Sequence, residues 1–145
     1  MTAQRPGPTG TGPARGITAL LESHYPDHAD FAALIVPPQD VPQAVRTAVL
    51  QVAACWQVVL ASPDAATSAW QILRAALLAR AAPHALAPLA HLSAVQQDVL
   101  LMRHGLGWSD TRITRVTGLD RAALATATRA LASAVYPAGR MRHRE

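Results

Sequence analysis

Apolar residues recur every three or four positions along most of this chain, a spacing typical of helices that bury one face. The first such segment covers residues 17–36, with a break near Pro26, and a double proline ends it. A second helix is predicted over residues 41–61. Its apolar stripe comprises Val45, Val49, Val52, Trp56 and Val59. One side of this helix is therefore expected to face the core.

A third helix is predicted to follow the sequence Ser62-Pro63-Asp64 and to reach about Ala82. Ser62 is the expected cap, with proline at the first helical position and an acid in the first turn. Its buried stripe would be Trp70, Leu73 and Leu77. Residues 17–83 thus form a predicted three-helix unit, and residues 84–91 form a predicted linker.

The next helix is predicted to begin with a capping box. Ser93 and Gln96 have the required spacing, and the helix would reach about His104. Its inward residues would be Val95, Val99 and Met102. Gly105 and Gly107 follow and would end it.

Two further helices are predicted on either side of a glycine turn. Ser109 would cap a short helix that Gly118 closes, and Asp120 would cap the longer helix after it. The longer helix places Leu124, Leu131 and Val135 on one face. A short helix, a tight turn and a longer helix make a helix-turn-helix, so residues 92–136 are predicted to be such a domain.

Composition supports helices throughout. Hydrophobic residues make up 50% of the chain and aromatics only 4%, and alanine is about a fifth of all residues, well above ordinary usage. Alanine favours helices and is depleted in strands. The predicted fold class is therefore all-α.

Positive charge is concentrated in the second half. All 13 basic residues are arginine, and the net charge is +4. Residues 1–83 hold as many acids as arginines, so the whole excess lies after them. This asymmetry favours an anionic partner such as nucleic acid, although a solvated surface with a basic tail explains it equally well. Residues 137–145 are the predicted tail, with Arg140, Arg142 and Arg144.

Little in the sequence indicates an enzyme. Residues 1–16 are rich in Pro, Gly and Thr and are predicted to be disordered. The single cysteine, Cys55, is expected to fill core space, and His24 and His28 lack a third metal ligand. We expect no metal and no cofactor.

No apolar stretch is long enough to span a membrane, which predicts a cytoplasmic protein.

The stretch from Leu92 to Val135 resembles the C-terminal promoter-binding domain of bacterial RNA polymerase sigma factors. Response-regulator DNA-binding domains share much of the pattern. The matching positions are Val99-Leu100-Leu101 before Arg103, Gly107 and Ser109, Ile113 with Val116, and Gly118-Leu119.

The first half is similar to the sigma N-terminal domain. Leu20 to Tyr25 with Phe31 to Val36 resembles its opening helix, Asp40 to Trp56 its polymerase-binding helix, and Ala69-Trp70 its promoter-melting segment. The resemblance covers Ile17 to Val135, in the order found in the extracytoplasmic-function branch. It implies that RNA polymerase core is a partner. The face expected to bind it comprises Gln43, Arg46, Thr47 and Gln51. At Pro42, Gln43 and Arg46 the family usually has acids and a glutamine.

For DNA, the resemblance implies an outward stripe on the recognition helix. The stripe comprises Arg121, Ala122, Ala125, Thr126 and Arg129. Arg112 and Arg115, on the supporting helix, are expected to contact phosphates. Family members generally have lysine or arginine where this chain has Ala125 and Ala127.

These observations leave two functions open. The first is a sigma-like transcription regulator that binds promoter DNA through the helix-turn-helix and RNA polymerase through the N-terminal helices. The alternative is a degenerate sigma-like interaction module that regulates a partner without reading DNA. The alanine-rich surface is also compatible with self-association.

Overall fold

The computed structural model of the protein describes Ile17, Ala19 and residues 21–135, apart from the side chain of Val135. The tails predicted at 1–16 and 137–145, with Arg140, Arg142 and Arg144, lie outside the described residues. The described chain contains helices and no strand, which confirms the all-α prediction. No helix within it is both long and apolar enough to cross a membrane.

We number seven α-helices along the described chain. They are α1 (Tyr25–Ala33), α2 (Val41–Ala54), α3 (Trp56–Ala61), α4 (Ala65–Leu78), α5 (Ala94–Leu100), α6 (Asp110–Thr117) and α7 (Arg121–Val135). A π-helical turn, Leu101–Gly105, continues α5, and short 3-10 turns occupy Pro38–Asp40 and Ala87–Leu89. Residues 21–23 are also helical and are separated from α1 by a turn at His24.

The predicted helix over residues 41–61 is divided in two. Cys55 leaves helical geometry, with φ −98° and ψ 15°, and its N–H donates to the carbonyls of both Gln51 and Val52. The stripe nevertheless faces the core, since Val45, Val52 and Val59 are fully buried and Val49 and Trp56 are half-buried. The break redirects the chain, so α3 packs against α4.

The start and the end of the third helix also differ from the prediction. Asp64, not Ser62, is the N-cap: its carboxylate accepts the N–H of Thr67 at 3.0 Å. Pro63 therefore precedes the helix. The helix ends at Leu78 rather than near Ala82.

The capping box of α5 is confirmed. The Ser93 hydroxyl accepts the N–H of Gln96, and the Gln96 side chain accepts the N–H of Ser93. Val99 and Met102 are fully buried, but Val95 is 38% exposed, so the prediction that it faces inward is wrong. It lies in the first turn of α5.

One hydrophobic core joins the two predicted units. Phe31 and Trp70 from the first half pack edge to face with ring centroids 5.0 Å apart. Met102 and Ile113 from the second half are fully buried in the same cluster. Helix α4 contacts α6 directly, so the first half and the second half are packed together.

Candidate nucleic-acid interface

The turn between α6 and α7 is tightly fixed. Gly118 adopts the left-handed conformation, with φ 74°, as the sequence predicts. The buried Thr117 hydroxyl donates to the carbonyl of Ile113 at 2.7 Å and accepts the N–H of Leu119. On the far side, the Asp120 carboxylate accepts the N–H of Ala123, which confirms the predicted cap. The direction of α7 relative to α6 is therefore set by hydrogen bonds.

The predicted outward stripe of α7 is exposed along its whole length. Its exposed members are Arg121, Ala122, Ala125, Thr126 and Arg129. The opposite face is buried through Leu124, Ala127 and Leu131. Ala127 is therefore a core residue, only 6% exposed, and the expectation that a DNA-reading side chain belongs there is wrong.

Two arginines of the stripe carry charge that no described carboxylate offsets. Neither Arg121 nor Arg129 takes part in an ion pair within the described chain. The Arg129 guanidinium lies 3.4 Å from the Thr126 hydroxyl, and its other donors have no partner among the described residues. These donors face solvent on the side of α7 away from the core.

Arg112, predicted to contact phosphate, is engaged inside the protein. Its Nη2 lies 2.5 Å from Asp27 and 3.6 Å from Asp30, both in α1. Its guanidinium also sits over the Trp108 ring, 4.3 Å from the centroid. These contacts hold the cation against α1, so the structure places Arg112 in the junction between the halves. Its predicted phosphate contact stays a prediction.

Arg115 is only weakly paired with an acid and remains largely exposed. Its Nη2 is 3.7 Å from Asp27, yet the side chain is 58% exposed. This weak pair leaves most of its donors available to solvent. Arg103 differs from Arg115, because it binds both Asp110 in α6 and the hydroxyl of Thr128 in α7. It therefore ties α7 to α6 and to the π-helical turn.

A second polar cluster at the junction was not predicted. Asp98 is buried in α5 and accepts hydrogen bonds from the Trp70 indole at 2.8 Å and from Arg74 Nε at 2.5 Å. Arg74 also donates to Gln97 at 2.7 Å. Burial raises the pKa of Asp98, and the bonds from Arg74 and Trp70 oppose that rise. The cluster holds α4 to α5.

Gly118 also docks the turn on α4. The Thr67 hydroxyl donates to the Gly118 carbonyl at 3.1 Å. A Cβ at position 118 would lie 2.5 Å from the backbone nitrogen of Thr67 and 2.7 Å from the carbonyl carbon of Ala66. The two backbones meet so closely that only glycine fits. The orientation of α7 is therefore fixed relative to the N-terminal helices.

The predicted polymerase-binding face is open. Gln43, Arg46 and Gln51 are exposed and Thr47 is half-buried. Leu50 stands in the same region with 62% of its surface exposed. The face thus combines neutral polar side chains, one cation and an exposed leucine, and no described residue covers it.

His28 is a buried base beside this junction. It is 6% exposed, and its Nδ1 has no hydrogen-bond partner within the described chain. Leaving a buried polar atom unpaired costs about 1–3 kcal/mol. Burial, with a smaller contribution from His24, lowers the pKa of His28 to about 4. The ring is therefore neutral at pH 7.

This lowered pKa predicts acid-sensitive folding. Between pH 6.5 and about 4 the unfolded chain binds a proton at His28 that the folded chain does not, so stability falls as the pH falls through that window. The loss should approach about 3 kcal/mol. His28→Leu should remove this component, whereas the exposed His84→Gln should keep it. Urea unfolding at pH 7 and pH 4.5 measures the difference; equal pH dependence in His28→Leu would contradict the assignment.

The described side chains offer no metal centre. Nowhere in the part of the chain that the structure describes do three His, Cys, Asp or Glu residues gather as ligands. The rings of His24 and His28 are 6.2 Å apart between centroids, without an acid completing a set. Comparison of the chain with protein-family models, with curated proteins and with solved structures finds no match.

Proposed function

We propose that this protein is a sigma-factor-like transcription regulator that binds promoter DNA. In this proposal α6, the Gly118 turn and α7 form a helix-turn-helix, and α1 to α4 form the sigma-like N-terminal unit. One observation carries it: the helix after the glycine turn exposes a continuous stripe with two arginines that no described acid neutralises. Such a stripe has the length and charge that a major groove accepts.

The mechanism is recruitment rather than bond chemistry. Arg121 and Arg129 would bind phosphates, and Ala122 and Ala125 would allow the helix backbone a close approach and contact with thymine methyl groups. Thr126 supplies a hydroxyl between them. Because Arg112 is held by Asp27, backbone contacts from α6 would come mainly from Arg115.

Salt-dependent DNA binding tests this proposal. The slope of log affinity against log salt is negative, and each lost phosphate contact reduces its magnitude by about 0.9. Arg121→Ala should therefore make the slope less negative by about one, and Arg121→Ala with Arg129→Ala by about two. Arg80→Ala is the matched control, since Arg80 is exposed just beyond the end of α4 without an ion pair in the described chain. Fluorescence anisotropy with a labelled duplex gives the slopes.

Two results would overturn the assignment. Wild-type protein that fails to bind duplex DNA at low salt would remove the DNA function altogether. Equal slopes for the double variant, the Arg80→Ala control and the wild type would show that α7 is not the DNA-binding surface.

The alternative, an interaction module that does not read DNA, is supported by a separate observation. Arg103 and Arg112 are bound to carboxylates inside the chain, while Leu50 is exposed beside Gln43 and Gln51. An open face of this kind suits a protein partner, such as another regulator or a second copy of this chain. A pull-down with core polymerase distinguishes the two functions: capture by wild type and its loss in Leu50→Asp support polymerase binding through this face, whereas no capture excludes a working sigma factor and favours the interaction module.

A further inference from the structure

A cavity of about 260 Å³ lies where the N-terminal helices meet α6. Its walls come from α1, α3, α4 and α6, and they are mainly apolar. Two indole rings, of Trp56 and Trp70, and the side chain of Leu73 form much of this apolar wall. The small residues Ala65, Ala66 and Ala69 complete it on α4 and leave the space open. Larger side chains at these positions would fill the gap.

The polar groups of the cavity are all potential donors. His24 lines it from the turn before α1, His28 from α1 and Arg115 from α6. No acidic side chain belongs to the described lining. His28 is more than nine-tenths buried and its Nδ1 is unpartnered, while most of the Arg115 side chain is solvent-accessible. Although Asp27 lies 3.7 Å from Arg115 Nη2, the mostly exposed guanidinium retains donors at the cavity, and these select ligands that bring acceptor oxygens.

We propose that this cavity binds a small aromatic carboxylate, with its ring between Trp56 and Leu73 and its carboxylate at Arg115. The volume sets the size of the ligand. An apolar protein cavity of about 150 Å³ accommodates benzene, so this larger one holds a ring with a short acidic substituent or a fused pair of rings. Aromatic rings pack favourably against indole, and a guanidinium pairs with carboxylate in a forked geometry.

The proposal goes beyond DNA binding, and it shares one residue, Arg115, with the proposed DNA-binding surface. The exposed stripe of α7 contributes nothing to the described lining. Arg115 and Val116 nevertheless belong to the helix that precedes the glycine turn. A ligand would therefore bind at the joint that orients α7, and the site can be tested without DNA.

Isothermal titration calorimetry with phenylacetate and with 2-naphthoate tests the site directly. We expect saturable one-to-one binding of at least one of them, and at least tenfold weaker binding of the matching neutral amide. Arg115→Gln should reduce carboxylate binding to the level of the amide. Quenching of tryptophan fluorescence gives a second readout, because two of the three indoles line the cavity.

Variants that fill the cavity provide the controls. Ala69→Leu should abolish binding, while Ala75→Leu, an exposed position on the same helix, should leave it unchanged. If Ala69→Leu fails to fold, Val116→Phe fills the space from α6. Failure of both carboxylates to bind the wild type, or unchanged binding in a folded cavity-filling variant, would overturn the proposal. Neither result bears on DNA binding by α7.

Discussion

Replacing Gly118 with alanine should destabilise the protein by about 4 kcal/mol, from left-handed strain of about 1–2 kcal/mol and the cost of forcing two backbones apart. The residue has φ 74°, and an added Cβ would approach the backbone nitrogen of Thr67 to 2.5 Å. Backbone atoms of α4 cannot move aside as a flexible side chain would. Urea unfolding measures the change in the free energy of unfolding.

Gly107→Ala is the matched control for this substitution. Gly107 also has a positive φ, 67°, but a Cβ added there would meet nothing within 4 Å. It should therefore show only the conformational cost, about 1–2 kcal/mol. The excess in Gly118→Ala measures the docking of the turn on α4. Equal destabilisation by the two substitutions would show that the halves are not packed at this point.

Arg74→Ala should destabilise the protein by about 4 kcal/mol at pH 7, because removing one partner of a buried ion pair leaves an uncompensated charge. The Asp98 side chain is 5% exposed and the Arg74 side chain 12%. Without Arg74, the carboxylate retains only the Trp70 indole as a described side-chain donor. The same unfolding measurement reports the loss.

The pH dependence separates this buried charge from lost packing. Burial already raises the pKa of Asp98, and losing Arg74 should raise it further. A raised acid pKa means that the folded state holds the proton more tightly, so stability falls as the pH rises through the unfolded value towards the folded one. The Arg74→Ala defect should therefore be smaller at pH 4.5 than at pH 7. Asp98→Asn should partly restore the stability of the Arg74→Ala variant. A defect that is as large at pH 4.5 as at pH 7, and as large with Asp98→Asn as without it, would contradict a charge effect.

Local features of the fold were predictable because neighbouring residues determine them. The capping box at Ser93 and Gln96 and the left-handed Gly118 depend on contacts within a few residues. The cap at Ser109 likewise accepts the N–H of Arg112, three residues on. Spacing alone carries such information. Where two signals competed, as at Ser62 and Asp64, the sequence indicated the helix start but not the residue that caps it.

Contacts between the halves could not be predicted in this way. Arg112 binds Asp27, which is 85 positions earlier in the chain, and Arg74 binds Asp98 across the predicted linker. Nothing in the spacing of these residues distinguishes a structural ion pair from a DNA contact. Ala127 illustrates the same limit on a smaller scale, because nearby alanines on a helix differ in burial only once the partner helices are placed.

The packed junction has a consequence for the proposed function. Arg112, Asp98 and Gly118 each tie the second half to the first through side-chain or backbone contacts. A DNA-binding stripe on α7 and an open face on α2 would then be held in one arrangement. A partner bound to the stripe on α7 would therefore be held at a fixed position relative to a partner bound to the face on α2, without a change in the fold.

An NMR titration with a short duplex at low salt tests the central claim most directly. Amide shifts would be followed in uniformly ¹⁵N-labelled protein as DNA is added. We expect the largest shifts on Arg121, Ala122, Ala125, Thr126 and Arg129, with little change over α2 and α3. No shifts at low salt, or shifts confined to the N-terminal helices, would contradict DNA binding by α7.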